Sequence, residues 1–268
     1  MTVEERLQRR RQESAGRIDN LIVIGASAGG HEALVKILQS VPAEIPAAFV
    51  ILLHMPVDSP YRLKDSVGRF SRLPIITVEN QESVQQGFIY TPPPGRSATF
   101  SDGMITVESR IPDRPATTIN RLFTSAAQAY GERVIGVILT GLMRDGTEGL
   151  AAVHRAGGLT VVQDPLEAAY ADMPTNAMEN LPVTFCLDLA DIAPALELLV
   201  RRTARFEAGL EVAIRTLRDR AALLVRLAEQ SWRNPGTRRF LEAELASLRG
   251  QIQSIDDLLK ASAPDDGV

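Results

Sequence analysis

Apolar residues in this chain come in short runs with few polar interruptions, and segments with helical spacing lie between them. Leu21 to Ile24, Ala47 to Leu53, Ile75 to Val78, Val134 to Leu139, Leu159 to Val162 and Val183 to Leu187 read as strands buried on both faces. The segment from Glu32 to Leu38 places Ala33, Leu34, Ile37 and Leu38 on one helical face. Further helical patterns cover 61–70, Asn120 to Tyr130, Thr147 to Ala156 and a stretch near Pro174 to Glu179. Phe88-Ile89-Tyr90 runs into Thr91-Pro92-Pro93-Pro94-Gly95, and Ser101-Asp102-Gly103 separates two strand-like pieces as a hairpin. This alternation predicts an α/β fold: a doubly wound, mostly parallel sheet with helices on both faces.

Beyond Arg201 the strand signal stops. Phe206, Leu210, Ala213, Leu217, Leu224 and Leu227 recur at helical spacings, and Asn234-Pro235-Gly236 marks a break. Leu241, Leu245, Leu248, Ile252, Ile255 and Leu259 then follow a heptad seam. The chain therefore divides into an N-terminal arm (1–18), an α/β domain (19–200), a helical hairpin (201–262) and a disordered end (263–268) carrying Asp265 and Asp266. Three fates are open to the apolar seams of the hairpin: packing on their own chain, pairing with a second copy, or taking a partner helix.

Composition narrows the function classes. Of 268 residues, 45% are hydrophobic and 23% charged, enough to bury a core. A net charge of −4 leaves no general basic excess, which argues against nucleic acid as a partner. The lone cysteine, Cys186, excludes a disulfide framework and a zinc–cysteine site and fits a reducing, cytoplasmic setting. No apolar run approaches the roughly 18 residues of a membrane span, so no membrane insertion is expected. Arg9, Arg10 and Arg11 lie in a leading segment without the apolar stretch of a secretory signal.

In sheets of this type, reactive groups gather at the carboxyl ends of strands. Ser27, His54 and Asp145 all follow predicted strands. Gly25-Ala26-Ser27-Ala28-Gly29 matches G-x-S-x-G, where a serine on a sharp strand-to-helix turn can present its hydroxyl beside backbone N–H groups. An anion cradle and a plain packing turn are the other readings of that segment. Serine needs a base. Of the three histidines, His31 opens a helix and His154 lies on the exposed side of one, whereas His54 ends a buried strand. Asp145 can orient the imidazole or cap a helix, and Asp164 competes for the first role. The order Ser, His, Asp differs from that of the α/β-hydrolases.

These residues resemble the catalytic domain of the CheB-type chemotaxis methylesterases. The resemblance rests on Val23-Ile24-Gly25-Ala26-Ser27-Ala28-Gly29-Gly30, Leu53-His54-Met55-Pro56, Arg114-Pro115, Gly136 to Gly146, Gln163-Asp164 and Met173-Pro174, in order over roughly 19–200. It implies a serine hydrolase that removes methyl groups from γ-glutamyl methyl esters on the cytoplasmic helices of chemoreceptors and in some members deamidates glutamines. It maps the family's triad onto Ser27, His54 and Asp145, points to Leu142 N–H as an oxyanion donor with Ala28 and Met143 beside it, and requires no cofactor or metal.

Four departures accompany the resemblance. Ala28 stands where the family has Thr, and Met143 where it has a second Gly. Ala116-Thr117-Thr118-Ile119-Asn120 replaces Pro-Ser-Val-Asp, and the aromatic–Thr pair after His54-Met55-Pro56 is missing. Fewer than about twenty residues precede the first strand, too few for a receiver domain, so a stand-alone form is expected. The competing reading is a weak or inactive CheB-like binding module acting through its helical tail. A hydrolase or amidase with another protein substrate is the third.

Overall fold

A computed structural model of the chain describes residues 18, 20–60, 62–101, 103–108, 117–201, 214–222, 224–226 and 235–262, the last stretch with side chains over 239–254. Expectations placed on 1–17, Arg114, Pro115, Ala116, Phe206, Leu210, Ala213, Leu227, Asn234, the side chains of Ile255 and Leu259, and 263–268 lie outside the described residues. The chain divides into two compact units, Met1–Val200 and Arg201–Val268.

Strands β1 (Leu21–Ala26) and β2 (Ala48–Leu53) form from the first two apolar runs, and helix α1 (Gly30–Ser40) connects them. A short helix α2 (Leu63–Val67) leads to β3 (Ile75–Thr77), β4 (Gln81–Ser83) and β5 (Ile89–Thr91). The hairpin β6 (Ser97–Ser101) and β7 (Met104–Glu108) follows, then α3 (Thr118–Tyr130) and β8 (Val134–Ile138). Helix α4 (Thr147–Arg155), β9 (Leu159–Gln163), α5 (Asp172–Asn180), β10 (Phe185–Leu187) and α6 (Leu189–Val200) complete the first unit.

Seven strands pair in the order β10-β9-β8-β1-β2-β5-β3, and every pairing is parallel. Burial explains this arrangement. Leu21 and Val23 face one core with Phe123, Leu150 and Met173 from α3, α4 and α5. Ile22, Ile24 and Ala26 face another with Leu34, Ile37, Ile192 and Leu196 from α1 and α6. Both faces of β1 are covered, so the strand reads as continuous apolar sequence. The antiparallel sheet β4-β7-β6 stands apart and contributes Ala98, Phe100 and Ile105 to the first core, against α3.

The strand order reverses at β1: β2 lies on one side and β8, more than a hundred residues later, on the other. That reversal makes the carboxyl ends of β2, β1 and β8 the crevice where such folds hold their chemistry. Two glycines bring the layers together there. A methyl group on Gly25 would lie 2.4 Å from Ile119 Cγ2, so α3 packs tightly against the end of β1. Gly29 adopts φ 73°, the left-handed turn that feeds α1.

In the second unit, helix α7 (Pro235–Ser262) begins at the proline, a residue suited to a first helical turn. Residues 214–222 and 224–226 are helical as well. Leu217, Leu224 and Leu248 are buried together, with Ala221, Leu241, Leu245 and Ile252 packed around them. Arg220 pairs with Glu244 at 3.2 Å. The described part of the heptad seam thus faces another helical segment of the same unit. Among the described residues no helix is long and apolar enough to cross a membrane.

Candidate active site

Ser27, His54 and Asp145 come from the ends of three adjacent strands. Ser27 N–H donates to the Thr140 carbonyl at 3.1 Å and His54 N–H to the Ala26 carbonyl at 3.0 Å. These two bonds lock the segments after β1, β2 and β8 to one another. His54 Nδ1 then lies 3.3 Å from Ser27 Oγ, and His54 Nε2 lies 3.0 Å from Asp145 Oδ2.

The partners fix the tautomer. An ionised carboxylate only accepts, so the ring proton resides on Nε2 and leaves Nδ1 as the acceptor facing the serine hydroxyl. Thr118 Oγ1 also lies 3.0 Å from His54 Nε2 and donates to Asp145 Oδ2 at 3.4 Å.

Asp145 is 2% exposed, and burying a charge is costly unless its oxygens are satisfied. Here both are. Oδ2 accepts Ile119 N–H at 3.0 Å, and Oδ1 accepts Asn120 N–H at 3.0 Å and Gly146 N–H at 2.9 Å. Ile119 and Asn120 open α3, so the carboxylate sits on orphan amides at a helix N-terminus, where the helix dipole favours negative charge. Asp145 is therefore both a capping residue and a histidine partner, and the helix it caps is α3 rather than α4, which follows it in sequence. Asn120 links the two helices, its Oδ1 accepting Gly149 N–H at 2.8 Å. An amide oxygen does there what an acidic residue could do.

Gly141 lies against the serine: a methyl group on it would fall 2.8 Å from Ser27 Cβ and 2.2 Å from Met173 Sδ. The Gly141–Leu142 peptide consequently runs beside Ser27. Among the described residues, neither Ala28 N–H nor Leu142 N–H has a hydrogen-bond partner. Met143 N–H is engaged, donating to Asp172 Oδ2 at 3.1 Å. Met143 takes φ 66°, the only positive φ at a non-glycine position among the described residues. The backbone therefore keeps a turn suited to glycine, at a cost on the order of 1–2 kcal/mol for an L residue. The Met143 side chain is 66% exposed. Thr140 Oγ1 accepts Tyr170 N–H at 2.8 Å and donates to the Ala28 carbonyl at 3.1 Å. The buried Gln163 Oε1 in turn accepts Thr140 N–H at 2.9 Å.

The remaining candidates fall elsewhere. Asp164 Oδ1 accepts Leu166 N–H at 2.8 Å in the loop after β9. His31 is half-buried beside Glu32, and His154 is exposed on α4. Thr118, Asp172 and Asn176 were not singled out by sequence reasoning. Their side chains act across the fold, on partners that no local spacing reveals.

The family model for CheB methylesterase matches residues 22–196. The chain belongs to the CheB methylesterase family. The CheB catalytic domain of Thermotoga maritima, solved by crystallography, superposes with a TM-score of 0.61 at 29% identity, covering 68% of this chain and 98% of that one. A Myxococcus xanthus protein named protein-glutamate methylesterase/protein-glutamine glutaminase 1 is 33% identical over 193 residues, 70% of this chain and 56% of its own length. A Leptospira interrogans protein, a putative protein-glutamate methylesterase/protein-glutamine glutaminase by name, is 36% identical over 187 residues, 67% of this chain and 93% of its own. The present chain thus spans little more than half of one CheB relative and nearly all of another. Its CheB region is the parallel-sheet unit; the matched span ends before α7.

Proposed function

We propose that the chain is a protein-glutamate methylesterase in which Ser27 is the nucleophile, His54 the general base and then acid, and Asp145 the residue that orients and stabilises the imidazolium. The observation that carries this reading is the continuous hydrogen-bonded path from Ser27 Oγ through His54 Nδ1 and Nε2 to Asp145 Oδ2. Ser27 Oγ attacks the ester carbonyl and its proton passes to His54 Nδ1. The tetrahedral oxyanion is met by the Ala28 and Leu142 N–H groups, which have no other partner among the described residues. His54 returns the proton to the methoxide, methanol departs, and a glutamyl–Ser27 ester remains. Water attacks that ester with His54 again as base, releasing glutamate and the serine. The same steps on a glutamine side chain expel ammonia, which accommodates the second activity in the relatives' names.

A protein surface is the favoured substrate because of the rim. Val57, Leu142, Met143, Leu166 and Tyr170 expose large apolar side chains on loops that follow β2, β8 and β9, around the carboxyl edge that carries Ser27. Such a cluster suits an apolar stripe on a receptor helix. The cytoplasmic helices of methylated chemoreceptors are therefore the proposed partner. The binding-module alternative is weaker, because Met143 directs its N–H to Asp172 and its side chain to solvent instead of occupying the space beside Ser27.

The test is methanol release from a methylated receptor cytoplasmic fragment, wild type beside Ser27→Ala. Loss of the nucleophile should lower the rate by several orders of magnitude. Equal rates in the two proteins, or receptor binding without methanol release in either, would overturn the esterase reading.

A further inference from the structure

We propose that Asp172 and Asn176, on the first turns of α5, are positioning residues that hold the Leu142–Met143 turn in its left-handed form and thereby keep Leu142 N–H aimed beside Ser27. This rests on the esterase reading above and assigns to it two groups outside the triad.

A residue with a side chain at φ 66° tends to relax toward negative φ. Rotation there would swing the preceding Leu142–Met143 peptide and pull on the Leu142 N–H. Two side chains oppose that rotation from the same helix. Asp172 Oδ2 accepts Met143 N–H at 3.1 Å, and Asn176 Nδ2 donates to the Met143 carbonyl at 3.2 Å. Asn176 Nδ2 also donates to the Asp172 carbonyl at 2.8 Å, one turn earlier, which ties the two halves of the grip together. The other flank of Leu142 is held by backbone: Gly141 N–H donates to the Tyr170 carbonyl at 3.0 Å, and Met173 N–H to the Gly141 carbonyl at 2.9 Å. Leu142 is thus fixed on both sides by the segment 170–176, while its own N–H has no partner among the described residues. Among the described residues no hydrogen bond or ion pair joins Asp172 or Asn176 to Ser27, His54 or Asp145, so an effect on chemistry is routed through this turn.

The grip is needed because Met143 lacks glycine's freedom. Glycine at that position would hold φ 66° unaided, so a lost grip should be repaired by Met143→Gly. That reciprocal dependence separates positioning from mere stabilisation.

The experiment measures phosphonylation of Ser27 by a small alkyl fluorophosphonate, followed by intact mass. In this step Ser27 Oγ forms a bond to phosphorus, fluoride leaves, and the serine proton goes to His54. The probe is too small to span the apolar rim, so it reads the oxyanion donors rather than receptor docking. Asp172→Ala should slow labelling about tenfold, less than outright removal of a donor costs. Asp172→Asn, whose amide oxygen can accept the same bond, should stay within about threefold of wild type, and Asn176→Ala should fall between. Asp172→Ala with Met143→Gly should return to within about twofold of wild type. Wild-type labelling in Asp172→Ala, or a loss that Met143→Gly does not repair, overturns the proposal. So does a wild type whose Ser27 is never labelled. Methanol release assayed in parallel separates the two claims: the expected labelling pattern without methanol release sustains the grip and removes only the substrate.

Discussion

Gly141 sits so close to Ser27 that a single added methyl group would come within 2.8 Å of the serine Cβ. The contact joins the ends of β1 and β8 at the point where strand order reverses. Gly141→Ala should therefore act on Ser27 directly. The added carbon also meets Met173 Sδ, so we expect overpacking of about 1–3 kcal/mol and a displaced serine. Thermal melting and methanol release check the two effects; a variant with a lowered melting point and unchanged turnover would show that Ser27 tolerates displacement.

Asp145→Asn should be more damaging than a simple charge deletion. Both carboxylate oxygens accept backbone N–H groups, so whichever way the amide turns, its NH2 faces a donor. The unsatisfied contact should cost about 1–3 kcal/mol of stability. Turnover should fall roughly a thousandfold or more, because the imidazole loses the acceptor that selects its tautomer. Chemical denaturation and single-turnover kinetics read these separately.

Met143→Gly should stabilise the first unit. It removes the cost of an L residue at φ 66° while adding glycine's entropy to the unfolded chain. The net gain should be below about 1 kcal/mol. An unchanged or lowered urea midpoint would mean that the Met143 side chain contributes more than its exposure suggests.

Asp188, just before α6, carries a carboxyl raised above its ordinary value of 3.8, first by burial and then by the charges of Asp164 and Asp191. A raised acid favours the folded state while protonated. Its contribution is complete below 3.8 and is lost as pH climbs through the higher folded value. Asp188→Asn should thus be more stable than wild type near neutrality and converge with it in acid. Urea midpoints at about pH 3 and about pH 7 decide the matter. A gain of equal size at both would point to a cause other than ionisation.

Much of this fold was legible because β1, β2 and β8 are covered on both faces and carry the uninterrupted apolar sequence that such burial demands. β4 was not: Gln81-Glu82-Ser83 is an edge of the small antiparallel sheet and has no apolar face to declare it. Helix α6 was missed as well. It contains Pro194, which reads as a breaker, and its apolar positions face the second core without a regular polar stripe. At the site, the positions of Ser27, His54 and Asp145 at strand ends could be read from the chain. The helix that Asp145 caps could not, since α3 reaches it only through the tight approach at Gly25. The departure at Met143 was visible in sequence, but its outcome was not. The turn kept its left-handed form, and the groups that restrain it, Asp172 and Asn176, belong to a later helix.

The pairing of β1 with β8 brings Leu21 opposite Val134. Every strand and helix threaded between them must be made before those two edges can meet. During synthesis Ser27 and His54 emerge early, yet the imidazole has no carboxylate partner and the serine no neighbouring Leu142 amide until the segment through Asp145 has left the ribosome and closed this long-range pairing. Such non-local closure is slow compared with hairpin or helix formation. Serine reactivity would therefore appear late and all at once, a chemical timestamp for completion of the sheet.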